Sequence, residues 1–265
     1  MRAIKDAIKS AAFAVCPDIA LKVVSIRSRR LIEAQVRALQ LDELARRISR
    51  ITNRAVAKGP FSGMTLDYEA LPIHGTPKFL GTYEQELHQC IERAIELSPR
   101  SILNVGCAEG YYAVGFARRL PAATVWAADA DPKAQRAVSI NASLNGVGDR
   151  VAAVGAVRSE HLGAYLIPEP SLLFMDCEGA EFTLLDPVRD PILLRTHIIV
   201  EVHAEFGSNG DIVSRFESTH RITQIDPAPR HRSDATIDCS EIDILQALDE
   251  RTDKKSWLFM EAKET

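Results

Sequence analysis

The chain has 265 residues, 46% hydrophobic and 26% charged, with a formal net charge of −4. That balance excludes wholesale disorder, and no apolar run approaches the roughly eighteen residues of a membrane-spanning helix. Residues 1–60 carry a net charge of +8 and the rest −12, so a basic head leads an acidic body.

Lys5 and Lys9 precede a short apolar run over residues 11–16 that Pro17 ends. The run is too short for a secretory leader, and the expected location is the cytoplasm. Residues 21–26 fit either a short strand or a helix. Residues 31–57 predict a long amphipathic helix: Ile32, Val36, Leu39, Leu44, Ile48, Ile51 and Ala55 recur at steps of three to five. Gly59 and Pro60 should stop it. Its apolar stripe needs cover from the body or from a second copy of the chain, so a homodimer through the N-terminal helices is one expectation. The arginines of this segment follow a solvated face, and nucleic acid is not the expected partner. Residues 61–80, rich in Gly, Pro and Thr, read as a connecting segment. The division expected is an N-terminal helical extension and linker over 1–80 and a body over 81–265.

The body opens with a helix capped by Thr82, with Leu87, Ile91, Ala94, Ile95 and Leu97 on its apolar side, ended by Ser98 and Pro99. The rhythm then changes. Short apolar strands are predicted at 101–105, 124–128, 150–154, 171–175 and 197–202, with helices after the first (to about Leu120) and the second (132–144, capped by Asp131). Strand candidates at 221–225 and 256–260 follow, the last in a C-terminal hairpin. Strands alternating with helices mean parallel βαβ units with right-handed crossovers.

Open α/β sheets bind ligands at the carboxyl ends of their strands, and the chemistry-bearing residues fall there. Asn104-Val105-Gly106-Cys107-Ala108-Glu109-Gly110 leaves the first strand. Gly106 allows a tight turn and Gly110 a close helix approach. Asp129 ends the second strand, where an acid can accept both hydroxyls of a ribose, or else cap the following helix. Asp176, Glu178 and Glu181 crowd after the fourth strand. Such acids need a cation, a positive ligand or bound donors, or they only cap the next helix, whose start Glu181 favours. Glu201 and His203 share a face at the end of the fifth strand. His203 is a natural proton acceptor, and with Asp176 and Glu178 it could instead hold magnesium or manganese. Gly81-Thr82-Tyr83-Glu84 could close over a ligand, or be a helix start with a packed tyrosine. Residues 226–232 read as a basic lid or a solvated loop, and His74 and His88 as incidental. The five cysteines (Cys16, Cys90, Cys107, Cys177 and Cys239) form no Cys-x-x-Cys pair, so reduced thiols are expected.

These stretches together resemble the FkbM-type methyltransferases over residues 80–262. The intact Asp176-Cys177-Glu178-Gly179-Ala180-Glu181 element is the most specific match. Asn104 stands where that family carries an acid, and Asp129-Ala130 where it has Glu-Pro. The resemblance implies a Rossmann-like class I three-layer α/β sandwich with a mostly parallel seven-stranded sheet of order 3-2-1-4-5-7-6. It also implies S-adenosyl-L-methionine as methyl donor and a hydroxyl of a sugar, polyketide or lipid-like small molecule as acceptor. On that resemblance Asn104, Gly106, Cys107, Glu109, Gly110, Asp129, Ala156 (or Asp149), Tyr83 and Asp176 meet the donor. Asp176, Glu178 and His203 carry the chemistry. A nicotinamide oxidoreductase would want a second glycine where Ala108 stands. A nucleic-acid methyltransferase would want an Asn/Asp-Pro-Pro segment in place of Asp176-Cys177-Glu178-Gly179. A non-catalytic nucleotide-binding or scaffold protein remains the other class.

Overall fold

The computed structural model describes residues 40–70, 75–167, 169–235, 237, 247–248 and 255–263. The chain divides into two compact units, Met1–Leu44 and Ala45–Thr265. The first is described only over residues 40–44, which are helical. The element expected at 21–26, the start of the helix expected at 31–57, the homodimer contact, Cys16, His74 and Cys239 all lie outside the described residues.

The second unit is built on seven strands: β1 (Ser101–Val105), β2 (Thr124–Ala128), β3 (Val151–Val154), β4 (Ser171–Met175), β5 (His197–Val202), β6 (His220–Ile225) and β7 (Ser256–Ala262). Their order is β3-β2-β1-β4-β5-β7-β6. The first five are parallel, and β7 runs antiparallel to both β5 and β6. β1 and β4 are buried at every position, as continuous apolar strands are when both faces of a parallel sheet are covered. Leu103, Val105, Leu173, Met175, Ile198 and Val200 enter one core cluster. The register aligns Val105 with both Ala128 and Met175, and Met175 with Val200. Gly106, Asp129 and Asp176 therefore leave the sheet side by side.

The helices Tyr111–Arg119 and Pro132–Leu144 form where expected. Asp131 caps the second, its side chain accepting from the Lys133 amide at 2.8 Å, with Pro132 at the first helical position. Two expectations are corrected. The helix expected to run to residue 57 ends at 51. Asn53 and Arg54 turn left-handed, with φ of 51° and 60°, and the Arg54 amide folds back to the Ser49 carbonyl at 2.6 Å. Thr82 is not a helix cap. Its hydroxyl reaches the Pro77 carbonyl at 3.5 Å, and the helix His88–Glu96 starts from a 3-10 turn, Gln85–Leu87.

Residues 61–67 form a docked strap rather than a loose connection. Phe61 packs edge-on against Tyr111, Tyr112 and Phe116, in space that Gly115 leaves open. Asn145 exchanges two hydrogen bonds with the Thr65 backbone, accepting at 2.9 Å and donating at 2.7 Å. Asn141 accepts from the Asp67 amide at 2.8 Å and donates to the Glu109 carbonyl at 2.8 Å. The strap is thereby tied to the turn that follows β1.

Candidate functional site

A cleft of about 500 Å³ opens at the carboxyl edge of the sheet. Gly106, Asp129, Ala156, Asp176 and Glu178 line it, with Tyr83 and Lys78. At its floor the turns after β1 and β4 touch backbone to backbone. The Asp176 amide donates to the Val105 carbonyl at 2.9 Å. Gly106 has φ +75°, and a Cβ there would lie 1.6 Å from the Asp176 carbonyl oxygen. Only glycine satisfies both conditions.

Asp129 is held by two backbone donors. Its Oδ2 accepts from the Ala108 amide at 3.0 Å and its Oδ1 from the Asp131 amide at 2.8 Å. Ala108 sits at φ 46°, a left-handed backbone that costs an L-residue about 1 kcal/mol or more and concentrates at functional sites. Each carboxylate oxygen retains a further acceptor position, so a fixed acid faces the cleft.

Of the residues expected to meet the donor, Asn104, Cys107, Glu109 and Gly110 do not line the cleft. Asn104 is buried in β1, donating weakly to the Phe174 carbonyl at 3.4 Å. Its Oδ1 has no hydrogen-bond partner among the described residues. Burial pushes the Cys107 thiol far up, with the Asp129 and Glu109 charges adding to it. Cys177 is raised in the same way, first by burial and then by Glu181 and Asp176. Neither is a thiolate near neutral pH. Gly110, at φ +88°, brings the next helix against Val138. Asp149 lies outside the cleft lining.

Glu109 points back beneath the cleft and forms a buried ion pair with Lys78. Lys78 was missed in the sequence. A single lysine in a Gly/Pro/Thr-rich stretch carries no periodic signal, and its role follows only from a contact 31 residues away. Its Nζ stands 4.5 Å from the centre of the Tyr83 ring and 5.7 Å from that of Tyr111, within cation–π range. The second oxygen of Glu109 is buried with no hydrogen-bond partner among the described residues. A positive and a negative group thus stand together beside the β1 turn.

The other end of the cleft is acidic. His203 is 1% exposed and Glu181 fully buried. Glu181 Oε1 accepts from both the backbone amide and the Nδ1 of His203, at 2.8 and 3.0 Å, and its Oε2 accepts from the Gly179 amide at 2.9 Å. A carboxylate at Nδ1 holds the ring with Nδ1–H toward Glu181, which leaves Nε2 facing the cleft carboxylates. Around Nε2 stand Glu178 at 3.2 Å, Glu201 at 3.3 Å and Asp176 at 3.7 Å. Glu178 is 76% exposed along its side chain and also pairs with Lys255 at 3.3 Å. Sequence reasoning assigned Glu181 to a helix start. It does begin the short helix Glu181–Leu184, but its carboxylate ties the β4 loop to the end of β5.

Sheet order, parallel register and a cleft at the crossover between β1 and β4 define the Rossmann-like class I methyltransferase fold. No protein-family model matches the chain, and no curated protein matches it. Among solved structures the chain is similar to the human methyltransferase 10 domain containing protein. The identity is 13%, the match covers 83% of this chain and 96% of that one, and the TM-score is 0.51. It is also similar to an O-methyltransferase from Bacillus cereus in complex with SAH, at 15% identity over 84% of this chain and 91% of that one, with a TM-score of 0.44. At these identities the likeness is one of fold. Among the described residues no helix is long and apolar enough to cross a membrane.

Proposed function

We propose that the chain transfers a methyl group from S-adenosyl-L-methionine to an oxygen of a small-molecule acceptor, as an enzyme of the FkbM type. The observation that carries this reading is convergence: the Gly106 turn, Asp129 and Asp176 border one cleft of about 500 Å³. The residues present fit such a donor. Asp129, immobilised by two amides, suits the ribose hydroxyls, and Ala156 leaves room beside an adenine. Lys78 lines the cleft with the positive charge that suits the carboxylate of an amino-acid tail, and Glu109 stands beneath it as its buried counter-ion. Residues 81–265 form the donor-binding domain in this reading, with Lys78 contributed from just before it.

The bound donor supplies an already electrophilic methyl group. The chain's own task is alignment and proton removal. The β1 turn sets the depth of the donor, and Asp176 faces the reacting end. The acceptor's hydroxyl proton passes to the cluster of Asp176, Glu178 and His203. Against a nicotinamide oxidoreductase, Ala108 occupies the position of the second phosphate-cradling glycine. Its amide is also engaged by Asp129, and that class has no use for the acids around His203.

Titration calorimetry with S-adenosyl-L-methionine, S-adenosylhomocysteine and NAD tests this. The first two should bind and NAD should not. Asp129→Ala should weaken donor binding by about 1–3 kcal/mol, the loss of charge-assisted hydrogen bonds. NAD binding in place of the donor, or no binding of any of the three, would overturn the proposal, the latter in favour of a scaffold.

A further inference from the structure

We propose that Asp176, Glu178 and His203 form a divalent-cation site, with a cation of the manganese or magnesium class held by Asp176 Oδ1, Glu178 Oε2 and His203 Nε2. The inference concerns the acceptor end of the methyl-transfer site and takes its functional meaning from that reading. Cation binding itself is measurable without any methyl donor.

Two independent observations carry it. The first is the ligand set: one ligand atom from each of the three residues lies within 4.8 Å of the others. Octahedral coordination at about 2.0–2.2 Å spaces neighbouring ligands by about 3 Å and opposite ones by just over 4 Å. Sub-ångström closure brings this set to that spacing. The second is His203 Nε2. It belongs to a side chain that is 1% exposed, it has no hydrogen-bond partner among the described residues, and it is aimed at the carboxylates. Nε2 faces three carboxylate oxygens at 3.2–3.7 Å, an arrangement that calls for a positive charge, on the ring itself or on a cation among the four groups.

Glu181 completes the arrangement. It holds Nδ1–H at 3.0 Å and the His203 amide at 2.8 Å, the carboxylate–histidine relation that fixes ring orientation and raises ligand basicity at metal centres. Mixed carboxylate and imidazole ligation suits manganese and, through its oxygens, magnesium. Exposed Glu178 leaves the cleft side open for an acceptor oxygen, whose proton a bound cation makes more acidic. With the cation bound, His203 is a ligand, and within the cluster assigned to proton removal the carboxylates of Asp176 and Glu178 take the acceptor's proton on the oxygens that do not ligate. Lys255, 3.3 Å from Glu178 Oε2, competes for one ligand and tunes the affinity.

The test uses the full chain without donor and Mn²⁺ as the probe, with free Mn²⁺ followed by electron paramagnetic resonance and competition by Mg²⁺. One Mn²⁺ should bind per chain. Glu178→Gln, at an exposed position that does not threaten folding, should weaken binding at least tenfold, as should Asp176→Asn and His203→Gln where they fold. Lys255→Ala should tighten it severalfold. Absence of a stoichiometric site, or unchanged affinity in Glu178→Gln, overturns the proposal. Donor titration on the same samples separates the two claims. Donor binding without Mn²⁺ removes only the cation site, and Mn²⁺ binding without donor removes only the methyl-transfer reading.

Discussion

Glu181→Gln isolates the group that joins the two site loops. Glu181 Oε1 receives the His203 amide and Nδ1–H, and its Oε2 receives the Gly179 amide and, at 3.7 Å, the Cys177 thiol. Glutamine is nearly isosteric but has one carbonyl and one NH₂. Either rotamer therefore sets an N–H donor against at least one backbone amide. A buried hydrogen bond to a charged group is worth about 1.5–3 kcal/mol, and the donor left unsatisfied adds its own penalty. The expected loss is about 2–4 kcal/mol, read as a lowered urea midpoint at unchanged slope. Glu205→Gln, at an exposed neighbouring position, should stay within about 0.5 kcal/mol of the parent. Imidazole ¹⁵N shifts supply a second readout: the parent should show the Nδ1–H tautomer of His203 and the variant a mixture. A Glu181→Gln protein as stable as Glu205→Gln, with an unchanged tautomer, would refute the anchoring role.

Gly106→Ala combines a left-handed φ with a Cβ 1.6 Å from a backbone oxygen, whereas Gly146→Ala, at φ +65°, meets nothing within 4 Å. The second should cost about 1 kcal/mol from strain alone and the first about 3–5 kcal/mol together with donor binding. Equal losses by urea unfolding would show that the turn moves freely away from Asp176. His88 titrates with its pKa lowered from 6.5 to about 4, first by burial and then by the Lys58 charge. Its neutral form is the folded one, so its contribution is complete above pH 6.5 and is lost as pH falls toward 4. Discounted for partial exposure, that is about 1–2 kcal/mol at pH 5. His88→Gln should flatten the fall in stability between pH 7.5 and 5, and an equally steep fall in the variant contradicts the assignment. Asn145→Ala removes both bonds to the Thr65 backbone and should cost about 1–3 kcal/mol. It should also speed proteolytic cleavage within residues 61–67, and an uncut strap would show that Phe61 alone docks it.

Strands such as Ile102-Leu103-Asn104-Val105 and Leu172-Leu173-Phe174-Met175 were legible because both sheet faces are covered and their apolar runs end in glycine or acid. Their alignment placed Asp129 and Asp176 together, and the sheet order follows as the resemblance implied. What escaped sequence reading depends on contacts distant in the chain. The strap is fixed by Asn141 and Asn145, whose amides look like ordinary polar helix positions until the Thr65 backbone meets them. Lys78 gains meaning only from Glu109. The helix expected to reach residue 57 stops at Asn53 and Arg54 because a left-handed backbone is available to Asn at low cost, a local choice that apolar spacing does not report. Glu181 carried a correct local signal, a helix start, which concealed its long-range one.

These long-range ties form one continuous connection. The β1 turn rests on the Asp176 backbone, with no room for a side chain between them. The β4 loop is held at the Gly179 amide by Glu181, and Glu181 in turn holds His203 at the end of β5. From Gly106 to His203 every step is a backbone contact or a hydrogen bond accepted by a buried carboxylate. A reaction that needs three atoms in line tolerates little displacement, since an error of about 1 Å can cost about a hundredfold in rate. Placing donor-side and acceptor-side groups on separate loops would invite that error. Here the two ends of the cleft share a single buried carboxylate and a single backbone contact, so their separation is set by the sheet and not by the loops' own stiffness. The positive φ of Ala108 and of Glu178 fits the same logic: these two strained residues of the site adjoin backbone that is firmly held.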